Sequence, residues 1–147
     1  MQAAPSIVFG QEFALPSIAL FVTVYLALVG LGLGSFINLV ADRLPRGESI
    51  IRPRSHCRAC GRELNAIDLL PVVGYALRGG RCASCRSQIG ASAPVVEGVA
   101  GVLMAVPVLW LGPWPGGAAG LGLVACWGLA VTTLAARRYA NEEAGWE

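Results

Sequence analysis

The sequence of 147 residues contains no lysine, so all 11 of its basic residues are arginines. Charged residues are scarce as well, at 14% of the chain, whereas hydrophobic residues make up 55%. About a quarter of the residues in a soluble domain are usually charged, so this deficit favours a membrane protein. The net charge of +2 is too small to indicate binding to nucleic acid, and we expect no such partner.

Three long apolar segments predict transmembrane helices. Residues 17–40 form an uncharged run, and a helix of that length crosses the ~30 Å hydrocarbon core of a bilayer. Two further apolar segments cover about 94–111 and 117–136, and we expect the sequence GPWPGG at 112–117 to be a short turn between them. A cleaved signal peptide is the alternative for the first run, but no basic region precedes it.

The distribution of the arginines predicts the orientation of these spans. Nine of the eleven lie between Arg43 and Arg86, whereas residues 1–16 and 112–117 contain none. Because loops rich in arginine stay in the cytoplasm, we expect the loop at 41–93 and the C-terminus to face the cytoplasm. The N-terminus and the 112–117 turn would then face outside.

Two cysteine pairs predict a metal site in that loop. Cys57 and Cys60 form one Cys-x-x-Cys pair, and Cys82 and Cys85 form the other after 21 intervening residues. Zinc takes four ligands in a tetrahedron, and paired Cys-x-x-Cys turns at this separation are typical of zinc sites. A redox-active pair is the alternative, but it needs a βαβ context that the sequence lacks. His56 is a further possible ligand.

The first span ends in a glycine-rich stretch, GLGLGSF, at residues 30–36. Gly30 and Gly34 have the GxxxG spacing that allows a second helix to approach closely. A phosphate-binding glycine loop is the alternative, but no strand precedes the stretch and a phosphate loop would not lie inside an apolar span. We therefore expect a helix-packing surface here.

Three stretches together resemble the N-terminal domain of the type IV prepilin peptidases. They read GSFINLVADRLPRGE, SHCRACGRELNAIDLLPVVGYALRGGRCASC and APVVEGVAG, and the resemblance covers roughly residues 28–105. The positions that match the family pattern are Gly34, Ser35, Phe36, Asn38, Arg43, Leu44, Pro45, the four cysteines, Asp68, Pro71, Arg78, Gly80, Arg81, Pro94 and Glu97.

The resemblance implies a fold and an activity. Members of the family are multi-pass proteins of the bacterial inner membrane that cut the leader from type IV prepilins and from pseudopilins of type II secretion. They then methylate the new N-terminus with S-adenosylmethionine, and the N-terminal domain is the part associated with methylation. We therefore expect residues 1–147 to be a single domain of this type, an all-α membrane protein with three transmembrane helices and a zinc-bound cytoplasmic loop.

The sequence also departs from the family. Its only aspartates are Asp42 and Asp68, and it lacks the glycine-x-glycine-aspartate motif of the peptidase part. Aspartyl proteolysis needs two carboxylates that share a proton, so we do not expect the chain to be a peptidase on its own. Smaller departures are Asp42 where tyrosine is frequent, Gly79 where arginine is frequent, and Ala93 where an aromatic residue is frequent.

Two functions remain open. The first is the N-methylating half of a split prepilin-processing system, which would bind S-adenosylmethionine and the N-terminal segment of a prepilin or pseudopilin. The second is a non-catalytic, zinc-stabilised assembly module for a separate prepilin peptidase subunit. Membrane lipid is an expected partner in both cases.

Three residues are candidates for catalysis. Glu97 is the only charged residue between residues 94 and 136, and a carboxylate within a span costs several kcal/mol unless it is paired or functional. It is either a base or anchor for the substrate amine, or a structural residue, as the partner of an arginine such as Arg43 or as a cap near the interface. Asn38 either contacts the substrate or forms a hydrogen bond between helices. Asp68 either meets the cationic methyl donor or caps a helix that extends to Leu77.

Three arginines are candidates for binding the donor. The resemblance brings Arg43, Arg78 and Arg81 to matched positions, and a guanidinium suits the carboxylate of S-adenosylmethionine. The alternative for all three is contact with lipid headgroups and control of topology.

Overall fold

The computed structural model describes residues 11–145, with side chains from Ser17 onward. Helix α1 covers Gln11–Arg43 and continues into a short 3-10 turn at Leu44–Arg46. Helix α2 covers Val73–Leu77, α3 covers Ser92–Leu111 and α4 covers Pro113–Ala144. Within this described part of the chain there are no β-strands. Residues 1–10, which we predicted to face outside, lie outside the described residues, as do 146 and 147.

The predicted class, an all-α protein with three transmembrane helices, is confirmed. The three long helices are apolar enough and long enough to cross a membrane, over Ser17–Arg46, Ser92–Leu111 and Pro113–Ala144. Helix α3 has 20 residues, so at ~1.5 Å per residue it matches the ~30 Å thickness of a hydrocarbon core.

The prediction of a turn at 112–117 is wrong. Helix α4 already begins at Pro113, and Gly112 alone connects it to α3, with a positive φ of 84°. Proline fits the first turn of a helix because the N–H that it lacks would have no partner there. Glycine is suited to Gly112 because that residue adopts the left-handed region. The residues that signal a turn therefore also suit a helix start.

Glycines set the packing of α1 against α3. A Cβ added to Gly30 would lie 2.7 Å from the carbonyl oxygen of Ala100, and one added to Gly34 would lie 2.6 Å from the Cα of Glu97. Both distances are too short for any side chain, so the two helices touch backbone to backbone. The predicted packing role of the GxxxG spacing is confirmed.

Helix α4 completes a three-helix bundle around a small core. Ala100, Met104 and Val124 form the buried cluster, and Gly120 gives Met104 the room that it occupies. Many large apolar side chains point outward instead, and Leu109 is 65% exposed. Outward apolar surface of this kind is what a helix presents to lipid.

Candidate functional site

The four paired cysteines form one cluster. All four sulfur atoms lie within 4.8 Å of one another, with 3.8 Å between Cys57 Sγ and Cys85 Sγ and 3.9 Å between Cys60 Sγ and Cys82 Sγ. A tetrahedral zinc ion with bonds of about 2.3 Å would place its four sulfur ligands about 3.8 Å apart. The cluster is therefore positioned to bind a metal ion, and its spacing is compatible with zinc.

The two cysteine pairs adopt the same backbone turn. In the first, the N–H of Gly61 donates to the carbonyl of Cys57 at 2.8 Å; in the second, the N–H of Arg86 donates to the carbonyl of Cys82 at 3.1 Å. Gly61 has φ +71° and Arg86 has φ +60°, so a left-handed residue follows each pair. Each turn presents its two sulfurs as one edge of the cluster.

Hydrogen bonds within these turns favour the thiolate form of Cys57 and Cys82. The Ser87 hydroxyl and the backbone N–H groups of Cys60 and Ala59 lower the pKa of Cys57 to about 6. The backbone N–H groups of the second turn lower the pKa of Cys82 in the same way. Because the thiolate is the form that binds metal, these bonds prepare Cys57 and Cys82 for coordination. At Cys60 the backbone N–H of Arg62 acts to lower the pKa, but hydrogen bonds to the neighbouring cysteines and burial raise it to about 11.

His56 does not join the cluster. Its Nδ1 lies 3.0 Å from the carbonyl oxygen of Arg54, and the metal-binding cluster consists of the four cysteines alone among the described residues.

A cavity of about 830 Å³ lies between the end of α1, the cysteine loop and the start of α3. The six non-cysteine residues that we singled out from the sequence all line it: Asn38, Arg43, Asp68, Arg78, Arg81 and Glu97. Cys82 and Arg62 line it as well, so the cavity reaches from the apolar helices to the metal cluster. Cavities of 300–1,000 Å³ are typical of small-molecule and cofactor sites.

Glu97 is buried, at 7% exposed, and is bonded to the loop. Its Oε2 accepts a hydrogen bond of 2.6 Å from the backbone N–H of Val72. The expected pairing with an arginine such as Arg43 is not observed, because Arg43 donates elsewhere and no ion pair among the described residues involves Glu97. Its other carboxylate oxygen forms no hydrogen bond with the described residues.

Asp68 is the centre of a charge cluster at the cavity wall. Arg62 donates to its Oδ2, and Arg78 donates to its Oδ1 at 2.7 Å. Burial acts to raise the pKa of Asp68, but the hydrogen bonds from Arg78, from the N–H of Asn65 and from Arg62 hold it below its usual value. Asp68 is therefore a carboxylate that two guanidinium groups already neutralise.

Asp68 does not cap a helix, so that alternative is wrong. Helix α2 begins only at Val73, and its N-cap position is Val72, which has no side-chain cap. Both carboxylate oxygens of Asp68 accept hydrogen bonds, from Arg62, from Arg78 and from the backbone N–H of Asn65, and neither bonds to α2.

The remaining three candidates differ in how many hydrogen bonds their side chains already form within the protein. Arg43 is 5% exposed and donates to the carbonyl oxygens of Ser49 at 2.7 Å and Pro53 at 2.9 Å, so it shapes the loop that follows α1. Arg81 is exposed and has one long contact of 3.5 Å, to the carbonyl of Arg86. Asn38 forms no side-chain hydrogen bond with any described residue. Arg81 and Asn38 are therefore free to contact a ligand.

Sequence reasoning missed a second ion-pair cluster. Asp42, at the end of α1, accepts from Arg46 at 2.7 Å and from Arg58 at 2.5 Å. Arg58 lies between Cys57 and Cys60, so this pair ties the first cysteine turn to α1. The i,i+4 spacing of Asp42 and Arg46 was visible in the sequence, but nothing in it indicated the contact across 16 residues.

The fold and the site define a class of protein: a three-span membrane protein with a four-cysteine loop at one end of its bundle. Residues 28–111 match the bacterial peptidase A24 N-terminal domain. The chain belongs to this family, and the resemblance that we identified in the sequence is confirmed. The three apolar helices and the family together indicate a multi-pass protein of the inner membrane.

Curated relatives agree with this assignment. The chain is 39% identical over 80 residues to a prepilin leader peptidase/N-methyltransferase of Myxococcus xanthus, an alignment that covers 54% of this chain and 24% of that protein. It is 33% identical over 132 residues to the enzyme of that name from Pseudomonas aeruginosa, with 73% and 44% covered. The corresponding protein of Bacillus subtilis is 39% identical over 80 residues, with 54% and 32% covered.

The chain therefore spans less than half the length of these relatives. No solved structure matches it.

Proposed function

We propose that the chain is the N-methylating component of a prepilin-processing system, with a zinc ion holding its loop in shape. The observation that carries the proposal is one cavity lined by Cys82 of the metal cluster, by the bonded carboxylate of Glu97, and by Asn38 and Arg81, whose side chains make few contacts within the protein. The class of reaction comes from the relatives, which are prepilin leader peptidase/N-methyltransferases.

Zinc has a structural role in this proposal. The loop between α1 and α3 contains only one short helix and no strand in its described residues, so little of it is held by regular structure. Four thiolates at tetrahedral spacing would close it at two points 25 residues apart in the chain, and structural zinc sites contribute directly to folding. The metal would thereby position the wall of the cavity.

The cavity suits a donor such as S-adenosylmethionine, which supplies an activated methyl group when it is bound. Arg81 is the guanidinium best placed to bind its carboxylate, because Arg43 and Arg78 already serve loop carbonyls and Asp68. Asn38 offers both a donor and an acceptor to a polar ligand. Asp68 is a weak candidate for contact with the donor's cationic group, since two arginines neutralise it.

Glu97 is the residue that we assign to the substrate amine. Methylation needs that amine in its neutral form, and an α-amino group has a pKa of about 7.7–8.0, so a carboxylate nearby can accept its proton. One oxygen of Glu97 is held by the N–H of Val72, which fixes the side chain and leaves the other oxygen for the amine. The substrate would be the N-terminal segment of a prepilin or pseudopilin that emerges from the membrane beside α1 and α3.

The loop and the C-terminus face the cytoplasm in this proposal, and the Gly112 turn faces outside. The arginine distribution supports this orientation, because Arg137 and Arg138 lie at the same end of the bundle as the loop.

A second function is favoured by a specific observation. Both aspartates of the chain are paired with two arginines each, and Arg43 and Arg78 are also committed to internal contacts. A site whose charges are mostly satisfied internally suits a structural module. The chain would then be a non-catalytic, zinc-stabilised partner of a separate prepilin peptidase subunit.

A methyl-transfer assay tests the first function. The purified protein is incubated with labelled S-adenosylmethionine and a pilin-like peptide that begins with phenylalanine. We expect transfer by the wild type, its loss in Glu97→Gln, and no loss in Glu63→Gln, an exposed glutamate of the loop. Donor binding without dependence on Glu97 would reduce that residue to a structural role. If the protein does not bind the donor but co-purifies with a peptidase whose cleavage activity depends on it, the assembly module is the correct function.

A further inference from the structure

The segment between the two cysteine turns carries an exposed apolar surface. Five large side chains of this segment are 47–67% exposed, and we call them the α2 surface: Ile67, Leu69, Leu70, Val73 and Leu77. Elsewhere in the loop Ile50, Ile51 and Ile89 are 39–79% exposed as well, but the α2 surface concentrates five large apolar side chains, and exposed apolar surface of this kind indicates contact with lipid or protein.

The hydrogen bond between Val72 and Glu97 fixes the position of this segment along the axis of α3. Glu97 lies five residues after Ser92, the first residue of α3, so its Cα is about 7.5 Å into the helix at ~1.5 Å per residue. Helix side chains lean toward the N-terminus, which brings the carboxylate of Glu97 back toward the start of α3. Because the N–H of Val72 is 2.6 Å from that carboxylate, the α2 surface lies at the level of the first turns of a membrane span.

The backbone of the segment is suited to an apolar environment. The N–H of Gly74 donates to the carbonyl of Leu70 at 2.8 Å, and the N–H of Arg78 donates to Gly74 at 3.2 Å. A Cβ at Gly74 would lie 2.5 Å from the carbonyl oxygen of Ile67, so glycine allows α2 to fold closely onto the chain before it. Backbone groups that are bonded within the segment need no water.

The polar side chains of the segment line the cavity together with Leu69 and Leu70, whereas Val73 and Leu77 lie outside it. Asp68 and Arg78 pair with each other at the cavity wall, whereas Val73 and Leu77 are 51% and 67% exposed. Val95, in the first turn of α3, is 58% exposed at the same level, so the lipid-facing surface of α3 continues toward the α2 surface.

We infer that the α2 surface inserts into the headgroup–acyl boundary of the leaflet on the loop side of the membrane. Amphipathic segments bury their apolar face about 5–10 Å into this region, and the bond to Glu97 holds the α2 surface beside the first turns of α3. The loop is then anchored to the bilayer at its middle as well as at both ends. The cavity opens at the membrane surface, where an emerging transmembrane segment can reach it. This inference does not depend on methyl transfer.

Site-specific photocrosslinking in lipid nanodiscs tests the inference. The photoreactive residue p-benzoyl-phenylalanine replaces Leu77 or Val73 in the full chain, with Leu109 of α3 as the lipid-facing reference and Arg54 of the loop as the water-facing reference. After irradiation, mass spectrometry measures the phospholipid adduct at each position. We expect adducts at Leu77 and Val73 comparable to those at Leu109, and none above background at Arg54.

A second variant checks the anchor. Glu97→Leu removes the acceptor for the N–H of Val72, so the lipid adduct at Leu77 should fall while that at Leu109 is unchanged. Glu97→Gln keeps an oxygen acceptor and should retain the adduct. Background-level adducts at both Leu77 and Val73 in a correctly inserted, zinc-loaded protein would overturn the inference. That result would leave the α2 surface exposed to water in the purified protein, as expected of a surface that another protein covers.

Discussion

Arg62 donates a hydrogen bond to the carboxylate of Asp68, whose side chain is only 6% exposed. The hydrogen bond to Asp68 raises the pKa of Arg62, and the nearby Cys82 sulfur acts in the same direction. Cys82 is itself the most deeply buried of the four clustered cysteines, at 2% exposed. One guanidinium therefore lies between the charge cluster of the cavity and the metal cluster.

We expect Arg62→Gln to weaken zinc binding by about 10- to 100-fold, the effect typical of residues that hold a metal ligand in place. Arg78→Gln is the matched control, because Arg78 also bonds Asp68 but lies outside the cysteine turns, whereas the backbone of Arg62 bonds Cys57. Competition with a chromophoric chelator measures both affinities. Equal losses in the two variants would show that the effect passes through Asp68 rather than through Cys82.

The metal itself gives a second prediction. The purified protein should contain about one zinc ion per chain, and Cys57→Ser or Cys82→Ser should lose the metal and lower the amount of folded protein. Cys126→Ser is the control, since Cys126 lies in α4 away from the cluster. Elemental analysis and thermal unfolding give the readouts. Normal folding and accumulation of a metal-free protein would contradict the structural role of zinc.

A third prediction concerns the contact of α1 with α3. Gly34→Ala places a methyl group 2.6 Å from the Cα of Glu97, so the helices must separate, and we expect a loss of about 1–3 kcal/mol. Gly32→Ala, two residues away, meets nothing within 4 Å and should gain about 0.5–1 kcal/mol from helix propensity. Unfolding in mixed detergent compares the two, and equal stability of both variants would contradict the packing argument.

The parts of this site that depend on short spacings were predictable. The two Cys-x-x-Cys turns and the Gly30–Gly34 pair are local patterns, and each fixes its geometry without reference to the rest of the chain. The all-α class with three spans followed from length and hydropathy. The family motif singled out the residues of the cavity, although it did not indicate which of them are already bonded.

Contacts across the loop were not predictable. The bonds of Val72 to Glu97 and of Arg58 to Asp42 join residues 25 and 16 positions apart, and they depend on the path that the loop takes between its cysteine turns. No periodic pattern in the sequence predicts the path of such a loop. The start of α4 was missed for a different reason, because proline and glycine signal a turn and a first helical turn alike.

The proposed orientation gives a fourth prediction. Reporter fusions at Gly47 or Ser87 should report the cytoplasm, and a fusion at Pro115, in the first turn of α4, should report the opposite side. Replacing Arg137 and Arg138 by glutamine should weaken the preference for this orientation without affecting the cysteine loop. An external signal from Gly47 and Ser87 would reverse the orientation and place the cavity outside.

The last prediction concerns the left-handed residue that follows each cysteine pair. Left-handed backbone costs roughly 1–2 kcal/mol for a residue with a Cβ, and Arg86 has φ +60° where the first turn has Gly61 at +71°. We therefore expect Arg86→Gly to stabilise the loop by about 1 kcal/mol relative to Arg86→Ala, since both remove the charge and glycine alone removes the strain. Gly61→Ala should lose a similar amount, although a methyl group there meets nothing within 4 Å. The rate of zinc release to excess chelator measures the effect, and it should be slowest in Arg86→Gly because release requires the turn to open. Equal rates in Arg86→Gly and Arg86→Ala would show that the left-handed backbone at residue 86 has no free-energy cost. The two turns would then share their hydrogen bonding but differ in backbone strain.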